Sequence, residues 1–196
     1  MAYRFKHYLQ ESFDTIHPYK QTGNEVEEHD YIRDENDRPI GAAGRKIHHE
    51  FDVPNSNDVV RVTHDIKHSI DDYDPKNPHA TSVDTSFTRR DKSFRPENER
   101  AEVTYQKGHG GRGAAAVFST VSHITKGVLA KHGHGETTLN MSAENSRVSL
   151  YGKMIKKIGG VDAGDVNVVK HPDSHPGAGH SALSVKVPGR QPSGGK

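Results

Sequence analysis

The chain has 196 residues, 31% of them hydrophobic, with 27 Lys plus Arg against 26 Asp plus Glu. Such a length allows one ordinary domain with extended arms but not two full cores, and the balanced charge gives no overall field for nucleic acid or an anionic membrane. Cysteine is absent, which excludes disulfides and thiolate metal sites; no apolar run approaches the roughly 18 residues of a membrane helix, and the lack of a signal-peptide core after Met1 predicts a soluble protein not exported through a cleaved signal.

In chain order, Phe5, Tyr8, Leu9 and Phe13 recur at helical spacing until His17-Pro18 breaks the pattern, so residues 1–20 read as an amphipathic leader. Residues 23–38 are strongly acidic (Glu25, Glu27, Glu28, Asp30, Asp34, Glu35, Asp37) and are expected to form an exposed hairpin turning near Asp37-Arg38-Pro39. KIHHEFDV, DVVRVTHDI and TSVDTSFT follow as extended segments, divided by Pro54-Asn55-Ser56-Asn57 and by the polar residues 71–75. Val60, Val62, His64 and Ile66 alternate as a strand with one buried face requires, and an antiparallel meander is expected.

Residues 91–100 are too charged to be buried, and Ala101, Val103 and Tyr105 then share one face of a predicted strand over 101–106 that feeds a Gly-rich loop. Beyond that loop Val117, Val121, Ile124 and Val128, widened by Phe118 and Leu129, define a helix packed on a sheet. His132-Gly133-His134-Gly135 ends it, with glycines suited to a left-handed cap. Residues 137–141 read as a strand, and residues 146–158 as a helix with Val148, Tyr151, Met154, Ile155 and Ile158 on one face and Lys153, Lys156 and Lys157 outside. DVNVVKH and SALSVKV are two further strands around the loop HPDSHPGAGH, and residues 189–196 read as a flexible tail.

The loop Gly108-His109-Gly110-Gly111-Arg112-Gly113 can turn several backbone N–H groups toward an anion at a helix start, where the helix dipole adds to the attraction. A flexible connector is the competing reading of the same glycines. Together with Glu144-Asn145-Ser146-Arg147-Val148-Ser149-Leu150-Tyr151, and with the order strand, loop, helix, strand, helix, the segment resembles the second half of the GNAT family of acetyl-coenzyme A-dependent N-acetyltransferases. The family prefers Arg or Gln where this loop has Gly108, and its Asn usually stands seven residues before the Tyr, whereas Asn145 stands six before Tyr151.

The resemblance implies an α+β fold with an antiparallel-rich mixed sheet, two main helices in the carboxyl-terminal half, and a single domain over residues 21–188 with polar arms. It implies acetyl-CoA as cofactor, its pyrophosphate held by amides around Gly111, Arg112, Gly113 and Ala114 with Asn145 nearby. Tyr151 would be the general acid at the leaving thiolate, and Glu102 is the candidate base that deprotonates the acceptor amine. Tyr151 also lies on the apolar stripe, where a core tyrosine is the competing reading.

Fifteen histidines invite a metal hypothesis. His64-Asp65-Ile66-Lys67-His68 resembles His-Glu-x-x-His, but that pattern needs a helix and VVRVT before it favours a strand. No metal site is expected, and most of the histidines read as exposed polar residues or pH-sensitive contacts. The leader MAYRFKHYLQES resembles those of internal head proteins in T4-like phages, processed after Leu/Ile-x-Glu, a rule that Leu9-Gln10-Glu11 fits. Three functions therefore stand: a phage-encoded N-acetyltransferase, a non-enzymatic virion or internal head protein, and an inhibitor of a host enzyme using the acidic stretch 25–37. The partners implied are coenzyme A and a virion or host protein, and the location is the host cytoplasm or the virion.

Overall fold

A computed structural model describes residues 16–26, 31–69, 79–92, 112–144, 148–160, 165–171 and 180–188. The predicted leader helix, the strand over 101–106 and the tail lie outside them. The fold is α+β. Its main sheet comprises β1 (Tyr19–Glu25), β4 (Gly44–Asp52), β5 (Asp58–Ser69), β6 (Ala80–Asp91), β7 (Glu136–Glu144), β8 (Asn167–His171) and β9 (His180–Pro188), in the spatial order β1-β4-β5-β6-β7-β9-β8. Every pairing is antiparallel except β6 with β7.

The meander expected from the three extended segments forms as β4, β5 and β6, because turn residues separate alternating strands. Asn55, at φ 58°, supplies the left-handed position between β4 and β5. The acidic segment divides differently from the expectation. Gly23 to Glu25 belong to the edge strand β1, and the separate hairpin pairs β2 (Tyr31–Arg33) with β3 (Pro39–Ala42). Its turn is held by Asp34, whose Oδ1 accepts 2.9 Å bonds from the amides of Asn36 and Arg38. A short carboxylate that can bond its own backbone a few residues on fixes the turn, and Asp37, at φ 61°, takes its left-handed position within the expected Asp37-Arg38-Pro39.

Two helices cover one face of the sheet: α1 (Arg112–His132), crossing from β6 to β7, and α2 (Val148–Gly159), following β7. The core lies between them and the sheet. Val60, Val62, Ile66, Val83, Leu139, Leu183 and Val185 come from the strands and Val117, Val121, Ile124, Val128, Ile155 and Ile158 from the helices. The opposite sheet face, with Glu50, Arg61, Ser82, Asn140 and Ser184, is polar and carries no helix among the described residues.

The cap of α1 differs from the expectation in one respect. The Gly133 amide still donates to the Leu129 carbonyl at 2.7 Å, so the helical pattern runs through it. The left-handed residue is Gly135, at φ 57°, where a Cβ would stand 2.1 Å from the His79 carbonyl oxygen.

Candidate functional site

The parallel pair creates the most suggestive opening. β6 and β7 are in register only from Ala80↔Glu136 to Thr85↔Met141. Past those residues β6 continues to Asp91 against β5, and β7 continues to Glu144 against β9. The two strands therefore part at their carboxyl ends, the place where open parallel sheets commonly form ligand crevices.

An aromatic cluster spans this opening on the helix side. Phe87, two residues beyond the last parallel pair, stacks on Tyr151 of α2 with ring centroids 5.7 Å apart and planes 10° from parallel. Phe118 of α1 meets Phe87 edge-on at 5.7 Å and Tyr151 edge-on at 5.5 Å. Alternation along β6 sends Thr85 and Phe87 to the same face. Thr85 is buried and its hydroxyl has no hydrogen-bond partner. An unpaired buried hydroxyl costs stability, and this one sits where the strands part.

Of the predicted site residues, Tyr151 is half-buried in this cluster. Arg112, Gly113 and Ala114 form the first turn of α1, so the helix starts inside the segment read as loop. Phe118 lies six residues after Arg112, about 9 Å along the axis, which brings the helix start to the same end of the fold as Tyr151. Gly111, Glu102 and Asn145 lie outside the described residues. Sequence reasoning missed Phe87 and Thr85, although the alternation Val83, Thr85, Phe87 was there to be read.

A second cluster of titratable groups lies under the other flank of α1. His64 is fully buried and its Nε2 is 3.0 Å from Thr125 Oγ1. The Thr125 hydroxyl donates to the Val121 carbonyl at 2.8 Å, so it accepts from His64, whose proton is therefore on Nε2. Nδ1 is left as a bare acceptor with no partner. His49 packs edge-on against His64 at 5.9 Å and against Tyr19 at 5.8 Å, and its Nδ1 is also unpaired. Farther along, His68 Nδ1 is 3.2 Å from Thr81 Oγ1, and the His68 ring meets His134 at 5.9 Å.

Burial dominates the titration of this seam. It pushes His64 down to about 3, with His49, His132 and His48 adding repulsion. Burial likewise lowers His68 and His132 to about 4, helped by the positive charge of Arg45 and neighbouring imidazoles. His49 and His64 are not among the exposed histidines: they occupy inward positions of their strands. For His64 the alternation with Val62 and Ile66 had already pointed inward. Among the described residues no three His, Asp or Glu side chains converge to hold a metal ion, and no helix is long and apolar enough to cross a membrane.

Compared with known protein families, curated proteins and solved structures, the chain matches none of them.

Proposed function

We propose that the chain is a phage-encoded, GNAT-like N-acetyltransferase that transfers an acetyl group from acetyl-CoA to an amine. The observation that carries this reading is that β6 and β7 part beyond Thr85 and Met141, with Phe118 of the crossover helix α1 and Tyr151 of α2 packed together there. Also in its favour is the succession of strand, crossover helix, parallel strand and Tyr-bearing helix. The residues present fit the cofactor's anionic part. The first turn of α1 contains no acidic side chain, and the leading N–H groups of a helix have no intrahelical partner.

Acetyl-CoA, when bound, supplies an activated thioester. The amides of Gly111, Arg112, Gly113 and Ala114 bind the pyrophosphate, and Asn145 helps to orient the cofactor. The Tyr151 hydroxyl holds the proton destined for the leaving sulfur, and Glu102 takes a proton from the acceptor ammonium nitrogen. Calorimetry with coenzyme A tests the cradle: the wild-type chain binds and Gly111→Trp does not, whereas a wild type that fails to bind overturns the reading. Tyr151→Phe keeps the ring and removes the hydroxyl, and acetyl transfer then falls by about 10²-fold or more.

One observation favours a different function. The ring of Tyr151 is already engaged with Phe87 and Phe118, as a core aromatic would be. On that basis the chain is a non-enzymatic virion or internal head protein that keeps the fold as a scaffold. Peptide mapping of purified virions detects it there, and its absence from virions overturns this second reading.

A further inference from the structure

The edge strand β1 is divided by a bulge. Tyr19, Lys20 and Gln21 pair with Phe51, Glu50 and His49, and the register then slips so that Gly23, Asn24 and Glu25 pair with His48, Ile47 and Lys46. A bulge leaves one residue unpaired and bends its strand, so the two halves of β1 need not open together. They also rest on different histidines. Ahead of the first half the His17 amide donates to Thr120 Oγ1 of α1 at 2.9 Å, and the His17 ring lies 6.1 Å from that of Phe51. The Tyr19 ring meets His49 of β4 and His123 of α1 edge-on, each at 5.8 Å. The second half lies over His48, which alternation along β4 sends to the opposite, polar face.

Protonation acts on the two halves with opposite sign. An imidazolium carries an N–H on both ring nitrogens. His48 has an oxygen on either side: Nδ1 is 3.0 Å from Thr63 Oγ1, and Nε2 faces the Glu25 carboxylate at 3.9 Å. His17 Nε2 and His49 Nδ1, by contrast, are buried with no hydrogen-bond partner. Charging either ring buries a donor that nothing accepts, which costs more for an ion than for a neutral group. His49 is faced by Tyr19 of β1, His64 of β5, its neighbour His48 and Lys131 of α1; His17 is faced by Phe51 and Thr120. Among the described residues no carboxylate acts on either ring. Burial holds both imidazoles below the ordinary value of 6.5, and His48 and Lys131 add repulsion at His49.

We propose that residues 16–21 form an acid-released latch: on acidification they leave α1 and the inward side of β4, while residues 23–25 stay paired over a charged His48. Histidines that must be neutral to stay docked favour the docked form fully above pH 6.5, and that preference is lost as pH falls below it. Each proton taken up on release raises the opening constant by up to about tenfold per pH unit. His17 is half-buried and His64 fully buried, so the latch charges before the core does. Release bares Phe51 and His49 of β4 and Thr120 of α1, all buried in the docked form. The device is local and is independent of the acetyltransfer reading.

The test is NMR of the full chain at about pH 7.5 and about pH 5, on either side of the ordinary histidine value. At the higher pH, ring-proton contacts from Tyr19 to His49 and His123 are expected. At the lower pH those contacts vanish and the backbone order parameters of residues 19–21 fall below about 0.6, while Asn24, Glu25 and Val62 stay near about 0.85. His17→Phe combined with His49→Phe keeps a ring at each position and removes the proton, so the segment stays docked at the lower pH, a gain that misfolding would not produce. Thr120→Val removes the acceptor of the His17 amide and loosens residues 16–21 at both pH values. Tyr19 contacts that persist at the lower pH, two halves that loosen together, loss of order at Val62 alongside them, or a double variant that releases like wild type each overturn the proposal.

Discussion

The two flanks of α1 rest on different chemistry. Toward β6 and β7 the helix offers Phe118 to Phe87 and Tyr151; toward β4 and β5 it offers Thr125 to His64, which packs against His49. Both interfaces are at least half-buried, yet they respond to different variables. Aromatic packing is set by shape and area and is indifferent to protons. The histidine seam is buried at His64 and His49, and burial of its imidazoles makes its stability depend on pH.

The largest way to break the contrast is Phe118→Ala, which empties the center of the aromatic cluster. It is expected to cost about 3–5 kcal/mol in urea unfolding. A cost below about 1 kcal/mol would mean that the cluster is loose.

Acidification separates the two flanks next. His64, His68 and His132 titrate lower in the folded chain than the ordinary value of 6.5. The unfolded chain therefore binds more protons between those values, and stability falls as pH drops through that window. The loss begins near pH 6.5 and continues toward about 4 for His68 and His132 and about 3 for His64. For the fully buried His64 alone the slope reaches about 1.4 kcal/mol per pH unit. His64→Leu flattens this profile, whereas Phe118→Ala shifts it down without changing its slope. A His64→Leu slope equal to wild type would refute the assignment.

Smaller effects sharpen the description of the opening. Thr85→Val replaces the unpaired hydroxyl with a methyl of similar shape and stabilises the fold by about 1 kcal/mol. If it destabilises instead, the hydroxyl is satisfied by a bound molecule in solution, which the thermal shift on adding coenzyme A would reveal. Tyr151→Phe retains the stacking and costs about 1 kcal/mol or less, so an activity loss measured for it reports chemistry and not unfolding.

Much of the fold could be read locally. β4 to β7, β9, α2 and the body of α1 follow the alternating and helical patterns because those periodicities reflect which side of each element meets the core. The acidic stretch divides between β1 and the hairpin, with the turn at Asp37 as expected, because a run of charge says where a segment is exposed but not which residues pair. The candidate site was legible only in part. Tyr151 and the start of α1 stood out by composition, while Phe87 and Thr85 acquire meaning only when β7 diverges from β6.

From sequence alone come the types of the elements, the inward phase of His64 and the absence of cysteine chemistry, all properties of nearby residues or of composition. Tertiary structure decided that β9 enters between β7 and β8, that β6 and β7 part after Thr85 and Met141, and that His49 meets His64. Those outcomes depend on which distant strands bury one another best, and no local periodicity encodes that competition.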